Sequence, residues 1–133
     1  MIVSANVLKK DLSPFNHIFR LIREVMVMGK SKLQVICGLK VVDAVLAIGD
    51  AGMSFENGIS LAIYNKFVLV GIALGDAKLL IGKVVADVDE REHIITIKFE
   101  NSMAIKIDMR DEAYTGPEAM QLRVPGEPIV IWN

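Results

Sequence analysis

Apolar and polar residues alternate with a period of two through much of the second half of this chain. Ile95, Ile97 and Phe99 alternate with Thr96 and Lys98, and Met103, Ile105 and Ile107 alternate with Ala104, Lys106 and Asp108. Such alternation buries one face of a strand and leaves the other wet, so both runs are predicted strands. Between them lies Glu100-Asn101-Ser102, and an earlier part of the chain carries Glu56-Asn57-Gly58. Both fit a tight hairpin, because an Asn-Gly pair accepts the positive φ such turns require.

The first thirty residues follow a different period. Phe15, Ile18, Phe19, Ile22, Val25 and Met26 recur at helical spacing, with Asn16, Arg20, Arg23 and Glu24 opposite. Ser13 suits a cap, Pro14 the first helical position and Gly29 a stop. This predicts a long amphipathic helix whose apolar face must lie on something.

From residue 31 the sequence nearly repeats itself. Aligning Gly38 with Gly82 also aligns Val41 with Val85, Asp43 with Asp87, Ile63 with Ile107, and Phe55-Glu56-Asn57 with Phe99-Glu100-Asn101. Those are seven identities over residues 38–65, against about two by chance at ordinary residue frequencies. Each copy opens on a short apolar segment, Lys32 to Ile36 and Lys78 to Ile81, and each then has Lys-Val-Val within one residue of the same place. The first copy is the more apolar (Ile59, Leu61, Ala62, Ile63), which predicts a central position or a subunit contact. A polar connection follows at 108–119, then a second hairpin, Met120 to Val124 and Ile129 to Trp132, around Pro125-Gly126-Glu127-Pro128.

The expected fold is α+β. An N-terminal amphipathic helix packs on an antiparallel sheet made of two related β-meander units, and a C-terminal hairpin completes it. The whole of 1–133 reads as one domain: a helical segment at 1–30, a first β unit at 31–65, a second with its lead-in strand at 66–109, and a loop and hairpin at 110–133. The apolar stretch from Phe67 to Leu74 is too short to span a bilayer and reads as a core strand.

Composition narrows the function classes. Hydrophobic residues make up 53% of the chain, more than so small an interior can hide, so self-association is expected, most simply a dimer. Fifteen basic residues balance sixteen acidic ones, without the basic excess of a nucleic-acid binder. The first residues lack a basic stretch followed by a long apolar run, so no signal peptide is expected. Cys37 is the single cysteine, which fits a reducing, cytoplasmic setting.

No nucleophile elbow, phosphate-binding loop, dinucleotide fingerprint or paired-cysteine metal motif is present, so neither cofactor nor metal is expected. His17 on the polar side of the helix and His93 beside Glu92 read as surface histidines, and Cys37 as a buried inert thiol. The 49–52 stretch is glycine-rich but has no helix after it and reads as a turn. The densest polar cluster is Asp108, Arg110, Asp111, Glu112, Tyr114 and Glu118. A solvated loop with local ion pairs is its stronger reading, since carboxylates there do not follow calcium-loop spacing. Exposed loops nevertheless carry much binding, and Tyr114 and Trp132 are the aromatic types that anchor contacts.

The stretch Asp111 to Met120, containing Gly116-Pro117-Glu118-Ala119, and the ending Val130-Ile131-Trp132-Asn133 resemble small, mostly uncharacterised bacterial proteins. These are of the kind carried as mobile gene cassettes or in toxin-immunity neighbourhoods. The resemblance implies a compact α+β domain with a binding role and carries no catalytic residue across. Three readings follow. The first is a non-catalytic oligomeric binding protein, immunity-like in its sharpest form, that engages a protein partner or small ligand through the 108–118 loop and the adjoining sheet edge, with Asp108, Arg110, Asp111, Glu112, Tyr114, Glu118 and Trp132 as the binding residues. The second is an apolar ligand site between sheet and helix at Phe15, Phe19, Ile22 and Met26. The third is an enzyme using Cys37 or a carboxylate–histidine pair.

Overall fold

The computed structural model describes residues 32–133. The chain divides into two compact units, Met1–Val35 and Ile36–Asn133, and the strands among the described residues belong to the second. The expected helix, with Ser13, Pro14, Gly29 and His17, and the ligand site at Phe15, Phe19, Ile22 and Met26, lie outside the described residues.

Nine strands follow in order among the described residues: β1 (Val41–Val45), β2 (Ala51–Phe55), β3 (Ser60–Ile63), β4 (Phe67–Val70), β5 (Val85–Glu90), β6 (Ile94–Phe99), β7 (Ala104–Asp108), β8 (Met120–Arg123) and β9 (Val130–Trp132). They form two antiparallel sheets, ordered β1-β2-β3-β8-β9 and β4-β7-β6-β5. The expected α+β fold, a helix on one sheet shared by both units, is thereby overturned. Among the described residues, helical structure is limited to residues 32–33, which are α-helical, and to 3-10 segments at Gln34–Ile36, Leu74–Leu80 and Asp111–Ala113, and the two β units form the cores of two separate sheets.

The two units take the same path. β1 pairs β2 with Val41 opposite Phe55 and then Asp43 opposite Ser54, so Val42 is an extra, unpaired residue. β5 pairs β6 with Val85 opposite Phe99 and Asp87 opposite Lys98, which makes Ala86 the same bulge 44 positions on. Buried residues match at that spacing: Ile36 and Leu80, Met53 and Ile97, Phe55 and Phe99, Leu61 and Ile105, Ile63 and Ile107. Gly38 and Gly82, which anchor the alignment, share a left-handed backbone with φ of 85° and 89°.

Between the copies the chain crosses from one sheet to the other. β4 follows the first copy (38–65) and pairs with β7 of the second (82–109); β8 follows the second copy and pairs with β3 of the first. Each sheet is therefore completed by a strand that follows the other unit. The apolar run from residue 67, expected in the core, supplies an edge strand whose Val68 is 64% exposed. Crossing needs a buried path, and Asn65, at 0% exposure, provides the polar contact there: its Nδ2 donates to the Asp108 carbonyl at 2.8 Å. The amides of Tyr64 and Asn65 both donate to Ala119 O, and that of Lys66 donates to Ala113 O.

Both hairpins within the units have three-residue loops closed by Phe55 N–H to Ile59 O and Phe99 N–H to Met103 O, each at 2.8 Å. The third loop residue, not the asparagine, takes the positive φ: Gly58 at 84° and Ser102 at 70°. A side chain in that region costs roughly 1–2 kcal/mol. Replacing Ser102→Gly is therefore expected to stabilise the protein by about 0.5–1 kcal/mol, after the added freedom of the unfolded chain is subtracted. Gly58→Ser should do the reverse, with a new Cβ 3.0 Å from Pro125 Cγ. Urea midpoints at unchanged slope measure both; a Ser102→Gly variant less stable than the parent would contradict this account of the turn.

Candidate functional site

The acidic connection after β7 turns its charge on itself. Asp108 ends β7, and the guanidinium of Arg110 grips its carboxylate with two bonds, Nε to Oδ1 at 2.9 Å and Nη2 to Oδ2 at 2.6 Å. The Arg110 amide adds a third at 3.0 Å, and Glu112 sits 3.5 Å from Nη1. These bonds to Arg110 hold the Asp108 carboxyl down to about 2 and raise the guanidinium in turn. The loop is also tied down by its backbone, since Ala113 and Ala119 are buried and their carbonyls receive the crossover amides.

The remaining expected site residues are spread around this clasp. Asp111 and Glu112 are exposed on the short 3-10 segment, and the half-buried Tyr114 follows it, its amide reaching Asp111 O at 3.3 Å. Glu118 is engaged separately, accepting from Gln121 Nε2 at 3.3 Å. Trp132 is half-buried on β9 opposite the fully buried Met120, and its carbonyl accepts the Ala119 amide at 2.6 Å. The structure thus brings Asp108, Arg110 and Glu112 into direct contact. It links Tyr114 and Trp132 to the loop through backbone hydrogen bonds.

Beside the clasp, Glu92, His93, Met109, Arg110, Asp111 and Glu112 line an open cleft of about 410 Å³. His93 Nε2 lies 3.8 Å from Glu92 Oε2, both well exposed. Cys37 is half-buried elsewhere; burial and the carboxylates of Asp87 and Glu90 push its thiol up, with a backbone hydrogen bond at Val88 opposing them. A thiol held in its protonated form is a poor nucleophile. Among the described residues no group of three or more His, Cys, Asp or Glu could hold a metal ion, and no helix is long and apolar enough to cross a membrane.

A second candidate escaped the sequence reading: the outer face of the five-stranded sheet. Register sets its rows. One row runs Val45, Gly52, Ala62, Gln121, Ile131, and the next runs Asp43, Ser54, Ser60, Arg123. Small residues occupy the two middle strands, so the face sinks into a groove of about 310 Å³ with Asp43 and Asp50 on one rim and Gln121 and Arg123 on the other. Gly52 is bound to be small, because a Cβ there would stand 2.9 Å from Leu61 O.

The sister sheet carries the same rows with different contents. They read Asp89, Thr96, Lys106, Val68 and Asp87, Lys98, Ala104, Val70. Where the second copy has the exposed lysines 98 and 106, the first has Ser54 and Ala62. Reading the 44-residue offset outward-facing position by outward-facing position, instead of counting identities, is the signal that could have found the groove.

No protein family, curated protein or solved structure matches this chain.

The clasp has a pH signature. Because the folded pKa of Asp108 lies below the unfolded value of about 3.9, its stabilising contribution is complete above about pH 4 and is lost as pH falls toward 2. A carboxyl-resolved NMR titration is expected to place Asp108 near 2, and Arg110→Ala to return it toward the ordinary carboxylate range. An Asp108 midpoint unmoved by that substitution would show that Arg110 is not its main partner.

Proposed function

We propose that this chain is a non-catalytic binding protein and that its working surface is the outer face of the sheet β1-β2-β3-β8-β9. One observation carries the reading: two copies of one β unit share register, bulge and buried residues, yet only the first has Ser54 and Ala62 where the other has outward lysines. A solvated sheet face is usually covered by long polar side chains, as Lys98 and Lys106 cover the second copy. Small side chains across a central strand pair instead allow another surface to approach closely. The apolar Val45, 54% exposed, lines the groove, and Ile131, 44% exposed, lies next to Gln121 on the neighbouring strand; both offer area to bury.

The occupant suited to such a face is a protein surface. The groove is open and shallow, whereas small-molecule sites enclose most of their ligand. An immunity-type role fits within this reading. Its sharper form, the acidic loop presented to a toxin, draws less support, since Asp108 and Glu112 are already engaged by Arg110.

A photoreactive amino acid in place of Ser54 tests the reading in growing cells. The expected result is one defined protein adduct, abolished by Ala62→Lys, with none formed when the same group replaces Lys106. Equal crosslinking from both faces, or none from position 54, would reject the groove as the binding surface.

A further inference from the structure

We infer that the occupant of this groove is a second copy of the same chain, laid face to face about a two-fold axis that runs along the strands between β2 and β3. The inference rests on the reading that this face binds protein and adds who the partner is. It follows from how charge and size are distributed across the rows. Asp43 on β1 and Arg123 on β8 end one row, separated by β2 and β3. An axis midway between them brings each Arg123 over the Asp43 of the other copy, so a single contact is made twice.

The same operation sets small residues against small ones. Ser54 falls over Ser60 of the other copy and Gly52 over Ala62, so the sheets can close without long side chains between them. Val45 falls over Gln121, and Ile131 of each copy reaches just beyond the partner's β1, beside its exposed Val45. With the opposite charges at opposite ends of the row, the groove is complementary to itself. A parallel overlay, β1 on β1, would instead set Asp43 against Asp43 and Arg123 against Arg123.

The second sheet serves as an internal control. Its corresponding rows carry Lys98 and Lys106 in the middle, where the same overlay would set Lys98 over Ala104 and Lys106 over Thr96 and bury four lysines between the sheets. One face of the molecule is thus fit to pair with itself, and its duplicate is not. The surplus of apolar residues, 53% of the chain, gives a separate reason for part of the surface to be covered.

The size of the contact sets its strength. Four inter-strand spacings by about five residues give roughly 19 by 16 Å, or about 300 Å² per copy, below the standard of about 800 Å² for a tight complex. The dimer therefore belongs to the weak, concentration-dependent class.

Sedimentation equilibrium of the full chain from about 10 to about 500 μM tests this, with dissociation expected inside that range. Arg123→Asp should weaken association at least tenfold, and adding Asp43→Arg to it should restore most of the loss. Ala62→Lys and Ser54→Lys, which copy residues the second unit carries at the same positions, should each abolish the dimer and leave the melting curve of the fold intact. A chain monomeric throughout overturns the self-pairing, while a crosslinked adduct with a different protein at position 54 would leave the binding surface itself standing. A dimer that all four variants leave unchanged places the contact elsewhere and overturns the inference as well.

Discussion

Four backbone hydrogen bonds around one residue pair hold the two halves of this fold together. Lys40 and Val84, which occupy the same place in the two copies, form an isolated antiparallel bridge. Around it the bonds come in equivalent twos: Gly38 N–H to Val85 O and Gly82 N–H to Val41 O, both at 2.8 Å, then Val85 N–H to Leu39 O at 3.0 Å and Val41 N–H to Lys83 O at 2.9 Å. Exchanging the copies maps this set onto itself, so a local two-fold axis passes through the bridge. Val41 and Val85 are buried there, and a buried amide without a partner costs about 1–3 kcal/mol. Each unit therefore depends on the other to satisfy its first strand.

The strand exchange follows from the same axis. Because β4 completes the second sheet and β8 the first, neither copy can close its sheet from its own residues. The inward-facing side chains of the strands are fixed by packing in the core. The outward-facing side chains are free of that constraint. That is where the copies differ, with Lys98 and Lys106 on one face and Ser54 and Ala62 on the other. The two copies keep matching buried residues while their exteriors differ, and the proposed binding face is one of those exteriors.

The parts of this legible in the sequence are those that local chemistry dictates. Period-two alternation marked β6 and β7, Glu-Asn-Gly and Glu-Asn-Ser marked the loops, and Pro125-Gly126 marked a turn that Glu127 N–H closes onto Val124 O at 3.0 Å. What could not be read was decided across long separations. Phe67 to Val70 looks like core because it is wholly apolar, yet pairing with β7 leaves it at an edge. Ala113 and Ala119 gave no hint that their carbonyls receive the crossover. The acidic run was conspicuous by composition, but Arg110 two residues from Asp108 spends much of that charge locally. The groove was invisible for the opposite reason: its residues are Gly, Ser and Ala, which draw notice only when set beside the lysines of the other copy.

Native-state hydrogen exchange on the intact chain tests most directly the claim that the reciprocal bridge makes two sheets into one fold. The amides of Gly38, Val41, Gly82 and Val85 should exchange with one common free energy, equal to that of global unfolding, together with the central amides of β2 and β6. If the two sheets instead open with separate free energies while the four bridge amides exchange early, the copies are independent modules, and the bridge does not hold them together.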